Sequence, residues 1–381
     1  MYGLKDAPQN FELKVTEIMN AIGAVQGLFS SCVFLWHEAW IMVHGDDFFV
    51  VGDRATCKEF AAQLRKWLIV KVRGVLGPQA ELGDISEIIA LNRILRWRRV
   101  NGLDQIEIEG DPRHSALIID HLGLQQNSKG LTIPSLKQDL SGGQALTAEQ
   151  HTLYRSVVMR AAFLAEDRPD LKFPTKELAR MMSSPTTVAL DMLKRLGRYL
   201  IYRPRLVQVL CRQKRPDVIK VYSDSDFAGC PRTRRSTSAT VVMVGTHTIK
   251  VSSTTQGPIA LSSGESEWYG IVKSATIGLG LRSLAKDFGH DYQLSIVTDS
   301  SAANGIANRR GAGGIRHIET RSLWLQSKTT DKSLSVSKIS KTVNWADLPT
   351  KHQDAKTLDT ILAAMCFESR TGRSSLALDT T

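Results

Sequence analysis

Residues 218 to 229 read VIKVYSDSDFAG, a run of β-formers (Val218, Ile219, Val221, Tyr222) that closes on Asp224 and Asp226 before Phe227-Ala-Gly229 turns the chain. A carboxylate at the end of an apolar strand is costly to bury unless it is paired or bound to a cation. The competing reading is a plain turn, because Asp and Gly serve turns for backbone reasons alone. The next segment, TSATVVMVGTHTIKVSS (237–253), reads as two more strands turning at Gly245, so three strands form a meander. ESEWYGIVKSATIGLGLRSLAKDFG (265–289) is then a long amphipathic helix, QLSIVTDS (293–300) a fourth strand ending on Asp299, and SAANGIAN a helix. HIETRSLWLQSKTT reads as another helix, SLSVSKIS as a fifth strand and NWADLPTKH as a final helix carrying Asp347. Three meander strands and two parallel strands joined by helices make a five-stranded mixed sheet with flanking helices, an α/β, mixed α+β arrangement.

In that order Asp224, Glu267, Asp299 and Asp347 fall where they can meet at one edge of the sheet. Four carboxylates suffice for two Mg²⁺, one readying a water and the other the leaving oxygen of an in-line attack on a phosphodiester. Asp299 has a second reading as the cap of the helix that follows it, and Asp347 as the cap of its own. Glu265 and Glu267 stand two apart, on different faces of a helix, and periodicity does not choose between them.

The first half of the chain carries another acidic pair. In VHGDDFFVVG (43–52) the apolar runs on either side read as a hairpin with Asp46 and Asp47 at its tip, a placement suited to holding divalent cations or equally to a solvated turn. FELKVTEIMNAIGA before it is helical, CVFLWH is a strand, and ATCKEFAAQLRKWLIVKV after it is a helix. Strands then turn at Asn101-Gly102 and DPRHSALIIDHLGL is a helix. Residues 125–150, rich in Gln, Ser and Gly, read as a connector. Three apolar-striped helices follow within 151–202. Trp36, Trp40, Trp67 and Trp97 are assigned to the core rather than to base stacking.

Composition narrows the class. The 381 residues are 42% hydrophobic and 23% charged, an ordinary globular mix long enough for two or three domains. A surplus of 49 Lys+Arg over 38 Asp+Glu gives +11, which favours a polyanionic partner such as nucleic acid over an acidic small molecule. Five scattered cysteines without a C-x-x-C pair write neither a disulfide framework nor a zinc knuckle, so a reduced, intracellular setting is expected, cytoplasm and nucleus undistinguished. No apolar run approaches the ~18 residues of a membrane span, so no membrane partner is expected. Arg232, Arg234 and Arg235, in the link between the first two strands, are candidates for phosphate contacts or a merely solvated charge run.

YGLKDAP (2–8), GDD (45–47), LYR (153–155), RPDLKF (168–173), GRYL (197–200), YSDSDFAG (222–229), RRSTSA (234–239), ALSSGESEWYG (260–270), TDSSAA (298–303), IRHIE (315–319) and ADLPTKH (346–352) together resemble the Pol polyprotein of copia-type LTR retrotransposons. The resemblance covers nearly the whole chain. It implies a partial reverse-transcriptase palm and thumb (1–124), a linker (125–150), a helical connection (151–215), a ribonuclease H-like domain (216–367) and a disordered tail (368–381). It also implies that Asp224, Glu267, Asp299 and Asp347 are the catalytic, metal-binding acids, for two Mg²⁺ with Mn²⁺ as a substitute. Asp46 and Asp47 would be the paired palm carboxylates, and the partner an RNA–DNA hybrid. Glu267-Trp-Tyr-Gly fits the family's pattern for the glutamate, and Glu265 matches the variable acid before it.

The departures are specific. The family's Tyr-Val before the paired Asp is His44-Gly45 here, where a Gly is expected to loosen the strand, and Phe227 replaces the usual Trp. The palm's further Asp has no counterpart in the stretch before the hairpin, so the chain reads as a fragment that is no working polymerase by itself. His317 is assigned a structural rather than a product-releasing role. Two hypotheses stand: a Mg²⁺-dependent endonuclease cutting the RNA strand of a hybrid, or a non-catalytic nucleic-acid-binding remnant of a decayed element.

Overall fold

The computed structural model describes residues 5–125, 127–311, 313, 318, 322–374 and 376. The chain divides into two compact units, residues 1–74 with 279–292, and residues 75–278 with 293–381.

In the first unit the expected helix is α1 (Ala7–Ala21), followed by β1 (Val25–Gln26), β2 (Val33–Trp36), β3 (Ala39–His44), β4 (Asp47–Val51) and α2 (Arg54–Leu64). The four strands form one antiparallel sheet in chain order. Its core is Val15, Ile18, Met19, Phe34, Trp36, Ile41, Phe60 and Leu64, which brings the apolar stripes of both helices onto the sheet. Asp53 caps α2 by accepting from the amides of Ala55 and Thr56, 2.8 and 3.0 Å. The helix stops at Leu64, short of the Val72 that the apolar pattern predicts, and leaves Trp67 exposed rather than in the core.

The second unit opens with β5 (Glu87–Ala90), β6 (Arg93–Val100) and β7 (Leu103–Gly110), the last two turning at Asn101-Gly102 as predicted, and α3 (Pro112–His121). The helical block is α4 (Ala148–Leu164), α5 (Pro169–Ala179) and α6 (Thr187–Tyr202), packed through Tyr154, Val157, Ala161, Leu171, Leu193 and Leu196. A capping box starts α4: Gln150 N–H donates to the Thr147 hydroxyl and Thr147 N–H to the Gln150 side chain, 3.3 and 3.2 Å. Then come β8 (Arg205–Cys211), β9 (Val218–Ser225), β10 (Thr237–Val244), β11 (His247–Thr255), α7 (Ser263–Asp287), β12 (Gln293–Thr298), α8 (Ser301–Ala307), α9 (Trp324–Thr330), β13 (Ser335–Lys338), α10 (Ala355–Ala364) and β14 (Phe367–Arg370).

Two five-stranded sheets result. The predicted one has the order β11-β10-β9-β12-β13, with β9, β10 and β11 antiparallel and β12 parallel to both β9 and β13. The other, β14-β8-β7-β6-β5, has no local signal in the sequence: β14 is short, and the partner strands of β8 and β14 lie about a hundred residues or more away. The predicted terminal helix NWADLPTKH is instead a 3₁₀ turn at Trp345–Asp347 followed by a further turn. Pro349 within it cannot donate to a continuing helix, and Leu348-Pro349 is disfavoured in one. Among the described residues, no helix is long and apolar enough to cross a membrane.

Candidate metal centre

Register places the acids. β9 runs antiparallel to β10 and parallel to β12, so Asp224, near the end of β9, and Asp299, immediately after β12, emerge at the same edge of the sheet. The helix α7 crosses this sheet closely enough that a Cβ on Gly278 would meet Val221 Cγ2 and Leu294 Cδ1 at 2.9 Å, and Glu267 lies three turns earlier on the same rod. Carboxylate oxygens of Asp224, Glu267 and Asp299 all lie within 4.8 Å of one another, the one such group of three His, Cys, Asp or Glu among the described residues.

Asp347 joins from the 3₁₀ turn. Lys351 Nζ is 2.7 Å from Asp347 Oδ1 and 3.7 Å from Asp224 Oδ2, which brings the fourth acid to the first. Asn344 braces this turn on the sheet: its side-chain amide donates to Ser223 O at 3.0 Å and to Asp299 Oδ1 at 3.5 Å, and its oxygen accepts from Ala346 N–H. Under the strands, Gln256 donates to Ser225 Oγ, Ser238 Oγ and Ser266 O at 2.8–3.0 Å, tying the ends of β9 and β10 to α7.

Four acids share this edge with one lysine, so negative charge is in excess. Burial, then the negative charges of Asp224 and Asp299, push the Glu267 carboxyl up to about 9. Burial raises Asp224 to about 6, with Asp347 adding to the shift and Lys351 opposing it. Asp224 Oδ2 and Glu267 Oε2 are buried without a hydrogen-bond partner. Hard carboxylate oxygens that converge, with one oxygen of Asp224 and one of Glu267 buried and without a hydrogen bond, fit hard divalent cations, and Asp224, Glu267, Asp299 and Asp347 are the residues that would hold them.

The alternatives left open by sequence separate here. Glu265 points away from the group: its carboxylate accepts from Leu261 N–H at 2.8 Å and the Tyr269 hydroxyl at 3.1 Å. The cap of α8 is Ser300, whose hydroxyl accepts from Ala303 N–H, so Asp299 is not needed for that purpose. Asn344 and Gln256 were missed, because an amide that braces a turn from across a sheet has no local spacing to betray it.

No family model matches the chain. The retrovirus-related Pol polyprotein from transposon TNT 1-94 of Nicotiana tabacum is 24% identical over 363 residues, covering 92% of this chain and 26% of that protein. The retrovirus-related Pol polyprotein from transposon RE1 of Arabidopsis thaliana is 25% identical over 363 residues, covering 92% of this chain and 23% of its own length. The chain is a relative of the copia-type Pol polyproteins of plant transposons. It spans about a quarter of the length of these relatives. Among solved structures, a foamy viral protease-reverse transcriptase in complex with dsDNA aligns over 90% of this chain and 60% of its own, with 11% identity and a TM-score of 0.47.

Elsewhere in the chain, Asp46 is exposed in the two-residue loop of the β3–β4 hairpin and Asp47 opens β4 opposite His44. Gly45 does not loosen a strand, as its place before the acids suggested. It is the first loop residue, at φ +58°, a conformation that tight hairpin turns demand and glycine adopts without strain. Asp47 is paired with Arg73, Nη2 to Oδ1 3.0 Å. Arg232, Arg234 and Arg235 are exposed in the loop between β9 and β10, and Phe227 beside them is 47% exposed. His317 lies outside the described residues.

Proposed function

We propose that the second unit carries a ribonuclease H-like domain that cleaves the RNA strand of RNA–DNA hybrids endonucleolytically with two Mg²⁺, Mn²⁺ substituting. One observation carries the reading: a mixed sheet ordered β11-β10-β9-β12-β13 brings Asp224, Glu267 and Asp299 to one edge with Asp347 beside them, and buried oxygens of Asp224 and Glu267 have no hydrogen bond among the described residues. When bound, the cations would supply Lewis acidity to ready a water and to stabilise the departing oxygen. The protein's own part is positional. Asp224 and Asp299 are fixed by the register of parallel strands, Glu267 by a rigid helix, and Asp347 by a turn that Asn344 holds to Ser223 O. Arg232, Arg234 and Arg235 stand where they can hold phosphates of an incoming duplex without reading its bases.

The paired Asp46 and Asp47 we read as a reverse-transcriptase palm hairpin. No third acid joins them among the described residues, so primer extension by this 381-residue chain alone should be undetectable.

Purified chain given Mg²⁺ and a labelled hybrid should cut RNA within the duplex and spare single-stranded RNA. Asp299→Asn should lower cleavage by about a hundredfold or more, the scale of losing one preorganised electrostatic group, while the fold is retained. Folded protein inactive in both Mg²⁺ and Mn²⁺ would leave the binding-remnant reading in its place.

A further inference from the structure

A cation is already built into the acidic edge. Lys351, four residues after Asp347 on the same turn, sets its ammonium 2.7 Å from Asp347 Oδ1 and 3.7 Å from Asp224 Oδ2. Asp224 is therefore shared between two groupings. On one hand it converges with Glu267 and Asp299 within 4.8 Å; on the other it meets Asp347 across the lysine. A buried carboxylate such as Asp224 demands a nearby positive charge, and among the described residues Lys351 is the basic group within ion-pair distance of it. The Lys351 side chain is 40% exposed and runs along a flexible four-carbon stem, so its ammonium has an open path to solvent.

We infer that Lys351 is a resident counter-cation occupying the Asp224–Asp347 position, and that a divalent ion binds there only when the ammonium swings out. The inference rests on the metal reading of the four acids. It makes the two positions unequal. The Asp224–Glu267–Asp299 group meets the ammonium through Asp224, at 3.7 Å, and loads first; the Asp224–Asp347 pair, where the ammonium also sits 2.7 Å from Asp347, loads second, its affinity reduced by the fraction of molecules in which Lys351 has not left. The lysine thereby sets the cation concentration at which the pair of ions is complete, and it holds the turn at 345–351 in place until then.

The test is a Mn²⁺ titration of the full chain by calorimetry, with Lys351→Met beside the wild type. The wild type should show one tight and one weak class. Lys351→Met should leave the tight class within about twofold and tighten the weak one by roughly tenfold or more, the gain from removing a competing state. In chelator the variant should melt below the wild type, and saturating Mn²⁺ should close that gap. Lys351→Gln, which keeps a donor for Asp347 without the charge, gives the same reading should the Met variant fail to fold without metal. A weak class that is unchanged or weaker in both variants would overturn the inference and make Lys351 a residue that merely positions Asp347. A single class in both chains would overturn it as well. Absence of any Mn²⁺ binding in either chain would overturn the metal reading itself, and this inference with it.

Discussion

At Asp170 the fold buries a carboxylate completely and surrounds it with donors; at Asp224 and Glu267 it buries one carboxylate oxygen of each and, among the described residues, gives that oxygen no hydrogen bond. Arg168 grips Asp170 through Nε and Nη2 at 3.0 and 2.7 Å, and the Tyr199 hydroxyl donates to the same carboxylate at 2.6 Å. Burial alone would raise the Asp170 carboxyl, but the guanidinium and the phenol offset it and hold it below the ordinary aspartate value. The second sheet of this unit repeats the device. Arg370 clamps Glu107 at 2.7 and 2.8 Å, and Arg205 and Arg96 share Glu109 at 2.6–2.8 Å. The contrast teaches how to tell the roles of buried acids apart. Structural ones are neutralised within the chain, whereas those of the acidic edge are held together against their repulsion with one lysine between them.

The largest effect expected from this contrast is at the satisfied pair. Asp170→Asn should lower the free energy of unfolding by about 3–5 kcal/mol, because it strands the buried Arg168 charge; a denaturant titration showing less than ~1 kcal/mol would mean that Arg203 O and Tyr199 suffice for that guanidinium.

His352 is half-buried, and no ion pair engages it among the described residues. Its Nδ1 is 2.8 Å from Ser135 Oγ and its ring packs edge-on to Phe173, and burial holds the imidazole down at about 4 against an ordinary 6.5. Between those values the unfolded chain takes up a proton that the folded chain refuses. The stabilisation is complete above pH 6.5 and lost as pH falls toward 4. Up to ~3 kcal/mol should disappear over that window. His352→Gln should flatten this part of the stability profile, and an identical slope in the variant would refute the assignment.

At the unsatisfied edge the sign should reverse. With chelator present, Glu267→Gln should leave stability unchanged or raise it by about 1 kcal/mol, since it removes a desolvated acid from among like charges. A loss larger than that, seen in thermal melts, would place Glu267 among the structural acids. Smallest is Asp47→Asn. Two neighbouring Asp at a hairpin tip repel each other, yet Arg73 pairs with Asp47 across partly exposed surface. The substitution should cost between 0 and ~1 kcal/mol and become neutral in high salt; a salt-independent gain in stability would show that the repulsion dominates.

Much of this chain is legible from its residues taken in order. Alternating β-formers set β9, β10 and β11, the Gly245 and Asn101-Gly102 turns close their hairpins, and apolar stripes mark α4, α5 and α6. These features are local, with a period and a punctuation mark that a sequence displays. The RPDLKF and GRYL stretches are visible as strings too, but the reason for them is not. Arg168, Asp170 and Tyr199 form one network because α5 and α6 pack side by side.

By itself, then, the sequence determined which acids terminate strands and which helix carries the glutamate, because strand ends and helix faces follow from nearest neighbours along the chain. Periodicity left Glu265 and Glu267 open and the resemblance implied Glu267; tertiary structure alone decided that β8 and β14 complete a second five-stranded sheet and that Lys351 stands between Asp224 and Asp347. These outcomes depend on groups that stand about 100 to 165 residues apart being brought within ångströms of each other, and on the charge each one then meets; no local spacing encodes either.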